Sequence, residues 1–322
     1  MNRIASAKWL LVLACITLLA CVPALATAQQ PKAGTPAASV QHGIDLVETG
    51  HCKQALPLLT RGLPRITEKT FRYHAQMAVV RCAMALDEQQ TAADALLALQ
   101  RESPDDPETL YVSAHLFSQL GMRAAQHLQQ SAPDSYQAKR LQAESLESQG
   151  KNEQAAEIYR DILKGNPKVP GIHYRLGQIA LAEAGPSGST DAAKAEFQKE
   201  TEIDPTNASA EFVLGELDRR SGDFPDAVRY FTHATQLDAG FSEAFLALGM
   251  SLTASGKFAE AQAPLKHYVT LQPDDPAGHY QLAIAYARTG DKQAAQREME
   301  LQKQAAARNP NTDTTQGHSV QP

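Results

Sequence analysis

The feature that most constrains this chain is that it repeats itself. The series Leu214-Gly215, Gly222-Asp223-Phe224, Ala227 and Phe231 superposes, at a shift of 34, on Leu248-Gly249, Gly256-Lys257-Phe258, Ala261 and Leu265, closed by Pro273. The same shift gives Leu282-Ala283, Tyr286, Gly290, Ala295 and Met299. Upstream the register runs through Gly43, Gly50, Ala55 and Leu59, then through Ala92, Leu96 and Pro104 with Asp87 in place of the turn glycine. It continues through Ala143, Gly150, Ala155, Tyr159 and Pro167, and through Leu176-Gly177, Ala193, Phe197 and Pro205. The last of these carries four extra residues, which fall in the Gly/Pro/Ser segment 184–190, where a longer turn costs little. Each position has a physical reason. Apolar residues three and four apart make one sticky helix face, a glycine supplies the positive φ that reverses the chain, and small residues in both helices let them cross closely. A lone hairpin of this size cannot bury both its faces, so neighbours must stack into a continuous core. An ordinary helical bundle would not need glycine and alanine to return in register.

These residues resemble the tetratricopeptide repeat family, in which a Leu-Gly pair, a turn glycine, a small Ala, a bulky apolar residue and a closing Pro recur with a period of about 34 residues. The resemblance implies an all-α fold, a right-handed superhelical solenoid of about eight helix-turn-helix repeats over 36–309. The repeats fall near 36–69, 73–106, 107–135, 136–169, 170–207, 208–241, 242–275 and 276–309. The unit at 107–135 is short: Gly121 is expected to hold its turn, and its second helix, around Met122 to Gln130, has lost about a turn.

Ahead of the repeats, Arg3 and Lys8 precede an apolar run from Trp9 to Val22, followed by Ala26-Thr27-Ala28. The run falls short of the roughly 20 residues that a transmembrane span needs, and the pattern reads as a secretory signal peptide over 1–28 cleaved before Gln29. A rival lies in Leu18-Leu19-Ala20-Cys21, which resembles a bacterial lipobox; a membrane contact is expected only if Cys21 is lipidated. A polar leader (29–35) and tail (310–322) are expected to be disordered. Cleavage removes two cations and no acid, taking the net charge from −6 to −8, and leaves Cys52 and Cys82 as the remaining cysteines. Disulfides persist in exported proteins, and the family register sets Cys52 at the start of one helix and Cys82 late in the next, at one level of antiparallel neighbours. A bridge is favoured over two buried thiols, and it would be worth roughly 3 kcal/mol to the N-terminal end of the array.

An acidic chain with 30 Lys and Arg against 36 Asp and Glu lacks the basic stripe that nucleic acid requires. No Gly-x-Ser-x-Gly, Walker loop, Gly-x-Gly-x-x-Gly or His-Glu-x-x-His occurs, so no enzyme and no cofactor are expected. His42, His51 and His74 share no helical face and give no metal site, while His173 and His279 occupy one repeat position and read as packing residues. Arg219 and Arg220 read as a solvated helix end that complements the dipole.

Function is then expected on the concave face, where the resemblance points the fifth residue of each repeat: Val40, Met77, Tyr111, Arg140, Tyr174, Phe212, Leu246 and Tyr280. Four residues later come Ile44, Arg81, His115, Glu144, Gln178, Glu216, Met250 and Ile284. The expected partner-binding residues are Tyr111, Arg140, Tyr174, Gln178, Phe212, Glu216, Leu246, Met250 and Tyr280, a groove suited to a protein or peptide docked between aromatic rungs. The Lys/Asn pattern by which cytosolic co-chaperone members of the family clamp a terminal carboxylate is missing. The reading is a non-enzymatic interaction scaffold of the bacterial cell envelope, periplasmic or extracellular. The alternative is an envelope lipoprotein, or a carrier or assembly factor for polysaccharide export or a secretion machine. Intact-mass analysis of the purified exported protein is expected to show a chain beginning at Gln29 without lipid; a diacylglyceryl Cys21 would overturn the choice of signal.

Overall fold

The computed structural model describes residues 35–185 and 189–308, and among them every regular element is helical. Residues 1–34, which hold the signal and nearly all of the leader, lie outside the described residues, as do the tail from 309 onward and residues 186–188 of the insertion. The helices form two compact units, divided between Ala124 and Ala125.

The first unit holds α1 (Pro36–Glu48), α2 (Cys52–Gly62), α3 (Lys69–Ala85), α4 (Gln89–Glu102) and the first part of α5 (Pro107–Ser131). The second holds α6 (Tyr136–Ser148), α7 (Asn152–Gly165), α8 (Ile172–Ala184), α9 (Asp191–Ile203), α10 (Ala208–Ser221), α11 (Phe224–Leu237), α12 (Ser242–Ala254), α13 (Phe258–Leu271), α14 (Pro276–Arg288) and α15 (Lys292–Arg308). Hairpins α1/α2, α3/α4, α6/α7, α8/α9, α10/α11, α12/α13 and α14/α15 pack internally and, within each unit, against the next hairpin in line.

What joins most of the hairpins is a small residue under a large one; in α3/α4 the buried Val80 takes the small residue's place in the register. A Cβ placed on Gly43 would lie 2.9 Å from the Leu59 side chain, one on Gly177 2.8 Å from Phe197, one on Gly215 2.7 Å from Phe231, and one on Gly249 2.4 Å from Leu265. No real side chain tolerates such contacts, so glycine is required where the first helix passes beneath the second. The roofing residues Leu59, Tyr159, Phe197, Phe231 and Leu265 are fully buried, each worth about 1.5–3 kcal/mol of apolar burial. The alanines four residues before them, Ala55, Ala155, Ala193, Ala227 and Ala261, are buried as well. In the last described pair Met299 remains 38% exposed, and among the described residues no further hairpin follows it.

The turns follow the sequence closely. Gly50, Gly150, Gly222, Gly256 and Gly290 all have φ between +72° and +89°. Asp87, which stands in for glycine between α3 and α4, adopts φ +63°, a conformation that Asp tolerates better than most residues. Its carboxylate forms an ion pair with Arg123, which holds its pKa below the usual value.

One expectation fails. Gly121 does not turn: α5 runs through it as a single 25-residue helix, so the described residues form seven hairpins and one long unpaired helix in place of eight hairpins. Asp106 starts this helix, accepting from the Tyr73 hydroxyl at 2.6 Å and from the Thr109 N–H at 2.8 Å, and these bonds hold its carboxyl below the usual aspartate range. Thr109, Ser113 and Leu116 are buried against the first unit's core. Beyond Leu120 the shortened second half has too few turns to bury a full face, and continuing the helix keeps every backbone hydrogen bond that a reversal would break. A mid-helix glycine costs only about 1 kcal/mol.

Cys52 and Cys82 form a disulfide with Cα atoms 5.0 Å apart, closing a loop with a sequence separation of 30. It ties the first residue of α2 to the buried side of α3, so the first hairpin, which among the described residues has a neighbour on one side alone, is held to the second. Hydrogen exchange with and without reductant is expected to show protection lost mainly from residues 38–104, with 208–305 little changed, for a destabilisation of about 3 kcal/mol. Two free thiols in non-reducing denaturant would exclude the bridge, and uniform loss of protection would exclude its local action.

Candidate partner-binding face

The first helix of each hairpin, here the A helix, carries the expected contact residues. Tyr111 lies in the first unit, 63% exposed on α5, with its ring edge-on to His115 at 4.5 Å. Val40 and Met77, at the same repeat position, are buried in the first unit's core and face no groove. In the first two hairpins the position is a packing position, and Val40 lies under Gly62: a Cβ there would meet the Val40 side chain at 2.3 Å.

In the second unit the remaining eight residues sit on α6, α8, α10, α12 and α14, and α10, α12 and α14 touch one another in sequence. Tyr174 rests edge-on against Phe197 at 5.4 Å, so its ring is seated on the bulky residue of its own hairpin. Phe212 packs on Phe231 at 5.6 Å and on Phe241, just before α12, at 4.9 Å, spanning two hairpins. Leu246 packs on the same core, Met250 is half-buried, and Tyr280 is 48% exposed. The result is a run of braced apolar side chains with one open end.

The polar members are already engaged with neighbours. Arg140 Nε donates to Glu144 at 3.0 Å, and its Nη1 donates to the Pro170 carbonyl at 3.4 Å, reaching the start of the next hairpin. Gln178 accepts from Arg175 at 3.3 Å; Arg175 in turn lies 3.9 Å from Glu147, whose carboxylate accepts from the Tyr159 hydroxyl at 3.0 Å. Burial, first, and then this carboxylate push the Tyr159 phenol well up, so it stays protonated. Glu216 takes both Nε and Nη2 of Arg219, at 2.9 and 2.8 Å. Arg219 is therefore not the solvated helix end expected from the sequence: its side chain is only 19% exposed, and the Glu216 bond raises its pKa.

Several positioning residues carry no signal in the repeat pattern. Glu200 on α9 is completely buried and accepts from the backbone N–H groups of Gly171 at 2.6 Å and Tyr174 at 3.2 Å. It caps the start of α8, where Gly171 has φ +84° and no side chain of its own to cap with, and so sets the height of Tyr174. His173 and His279 pack as expected, and each also bonds a carboxylate of its partner helix, Glu196 at 2.6 Å and Glu298 at 2.7 Å. Between α10 and α11 the roles are exchanged, with His233 on the second helix reaching Glu211 on the first at 2.9 Å.

A cavity of about 490 Å³ lies between α7, α8 and α9, floored by Leu163, Leu176 and Ile179 and rimmed by Arg160, Lys164 and Lys199. None of the expected contact residues lines it. Among the described residues no group of three or more His, Cys, Asp or Glu side chains is placed to hold a metal, and no helix is long and apolar enough to cross a membrane.

Two family models match the chain. One tetratricopeptide repeat model matches residues 218–279, and another matches 123–170 and 140–208. No curated protein matches. Among solved structures, a crystal structure of MamA is 16% identical, covers 58% of this chain and 98% of its own, and has a TM-score of 0.48. YrrB, described as a TPR protein with an unusual peptide-binding site, is 20% identical with coverages of 59% and 94% and a TM-score of 0.48. MamA from Desulfovibrio magneticus RS-1 is 17% identical, with coverages of 56% and 98% and a TM-score of 0.47. Repeats of this kind generally mediate protein–protein interaction. The matched segments, together with hairpins built on a glycine beneath a bulky residue and a glycine turn, make this chain a member of the tetratricopeptide repeat family.

Proposed function

We propose that the protein is a non-enzymatic scaffold of the bacterial cell envelope that holds a protein or peptide partner along the A-helix face of its second unit. The observation that carries this reading is the run Tyr174, Phe212, Leu246, Met250 and Tyr280 on successive A helices, all partly exposed, with Tyr174, Phe212 and Leu246 braced on the core beneath. Rings held in this way give contact area at little entropic cost, the usual property of interface hot spots. The paired charges Arg140–Glu144 and Glu216–Arg219 flank the run and are neutralised within the chain, which suits an apolar or uncharged segment better than a strongly charged one. The signal-like N-terminus and the Cys52–Cys82 disulfide support the envelope assignment, since the bond persists in oxidising compartments.

Capture of an envelope protein by the immobilised chain, followed by affinity measurement with the purified partner, tests the proposal. Tyr280→Ala leaves the fold intact because the ring is half in solvent, and is expected to weaken binding about 10-fold; adding Tyr174→Ala and Phe212→Ala is expected to bring the loss to at least about 100-fold. Binding that survives the triple variant would sink the groove reading. Retention of an envelope polysaccharide instead of a protein would favour the carrier alternative.

A further inference from the structure

The cavity between α7, α8 and α9 owes its space to one small residue. Three residues after the small residue of the helix crossing, the A helices α6, α10, α12 and α14 of the second unit place Leu146, Asp218, Leu252 and Tyr286, whereas α8 places Ala180. Ala180 is half-buried, and with Ala156 and Ala192 beside it about 490 Å³ is left unfilled, within the roughly 300–1,000 Å³ of small-molecule pockets. The floor is hydrocarbon. Leu176 and Ile179 are 7% and 5% exposed and Leu163 is half-buried, and all three lie inside helices that already take up their backbone hydrogen bonds.

The two ends of the groove differ in charge. Because α8 runs antiparallel to α7 and α9, Arg160 and Lys164, late in α7, and Lys199, late in α9, lie at the end where α8 begins, and Glu183 lies at the other. Glu196 stands among the cations but is taken, bonded by His173 Nδ1 at 2.6 Å and accepting from Lys199 Nζ at 2.8 Å. Arg160 and Lys164 are exposed, one turn apart, and form no ion pair or hydrogen bond among the described residues. Lys164 acts on Asp161 through its field alone, and Lys139 already pairs that carboxylate. In α9, α11, α13 and α15 the corresponding two positions hold a single cation between them all, Lys266. Two uncompensated cations over an apolar floor are therefore particular to this groove.

Such a site fits a hydrocarbon chain that ends in one negative charge. An extended peptide would lay its amide groups over a floor with nothing to bond them, at a cost for each, and a hydrocarbon chain brings no such groups. From Ala156 to Lys164 the groove runs about 12 Å along α7, room for a chain of medium length. Glu183 at the far end repels the reversed orientation. We propose that this groove is a second binding site that takes a medium-chain fatty acid, its tail on Leu163, Leu176 and Ile179 and its carboxylate between Arg160 and Lys164. The site stands apart from the A-helix face, since none of the rung residues lines it.

Titration calorimetry of the full chain with sodium decanoate, well below its micelle concentration, is the test. Saturable binding of one decanoate per chain is expected, with a Kd on the order of 100 μM or tighter. The double variant Arg160→Gln/Lys164→Gln alters exposed positions only, and is expected to weaken binding at least about 10-fold with circular dichroism unchanged. Decanol, which has the same chain without the charge, is expected to bind the unaltered protein more weakly by a similar factor. Ala180→Leu puts into the cavity the side chain that α6 and α12 carry there, and is expected to weaken decanoate binding about 10-fold without lowering the thermal midpoint. Absence of saturable binding overturns the proposal, as does binding that both variants leave unchanged. Decanol that binds as tightly as decanoate overturns it too, and so does a short peptide ending in Leu that displaces decanoate at lower concentration, since the groove would then serve a protein chain.

Discussion

The described structure depends on one contact, a large apolar side chain seated on a residue without one. Gly215 under Phe231 and Gly249 under Leu265 let two helices approach until the bulky residue fills the space between them, and the neighbouring hairpin closes the layer over it. The energy comes from burial of the large residue, but the specificity comes from the small one, since a Cβ at Gly249 would have to occupy space within 2.4 Å of Leu265. Everything else in a hairpin is positioned by that crossing. The turn glycine reverses the chain, the alanine of the second helix removes the next clash, and the A-helix residues on the opposite side are left for other uses.

This division of labour explains why the fold is readable from sequence and the details of the contact face are not. Crossing residues recur because the same packing problem recurs in every repeat, so Leu214, Gly215, Ala227 and Phe231 announce themselves by returning as Leu248, Gly249, Ala261 and Leu265. Even Asp87 is legible, since a residue standing at the turn position must take the turn's conformation. The supports of the face do not recur. Glu200 caps α8 because Gly171 opens that helix without a side chain, a local solution found in one hairpin, and nothing in the spacing of the sequence marks it. Arg219 reads wrongly for the same reason: its partner Glu216 lies one turn away on the same helix, and only the packing of that turn against its neighbours decides that the pair is half-buried.

Gly121 shows the limit of reading a register as a structure. The residue type, its place in the unit and the Ala124–Leu128 signature after it all match a hairpin, and the chain still runs on as helix. The competition is between a reversal, which must be repaid by burying the second helix, and an unbroken helix, which keeps its hydrogen bonds and accepts a penalty of about 1 kcal/mol for the glycine. In the other hairpins the second helix is 11 to 17 residues long and buries a roofing residue or an alanine pair. Here only Met122 to Gln130, roughly nine residues, remain before the break that leads to Pro133, too few to tip the balance.

The same balance links stability to the way the face can work. Tyr174 and Phe212 are held by rings from the core, Phe197 and Phe231, which are also the roofing residues of their hairpins. A side chain on the contact face is therefore stacked directly on the contact that holds its hairpin together, with no flexible layer between. Replacing the roofing ring would disturb the fold and the face together, whereas trimming Tyr280, which stands on neither, alters the face alone. On the proposed reading, the apolar rungs, which vary in size from hairpin to hairpin, would distinguish a partner by their shape while the repeat geometry beneath them remains constant.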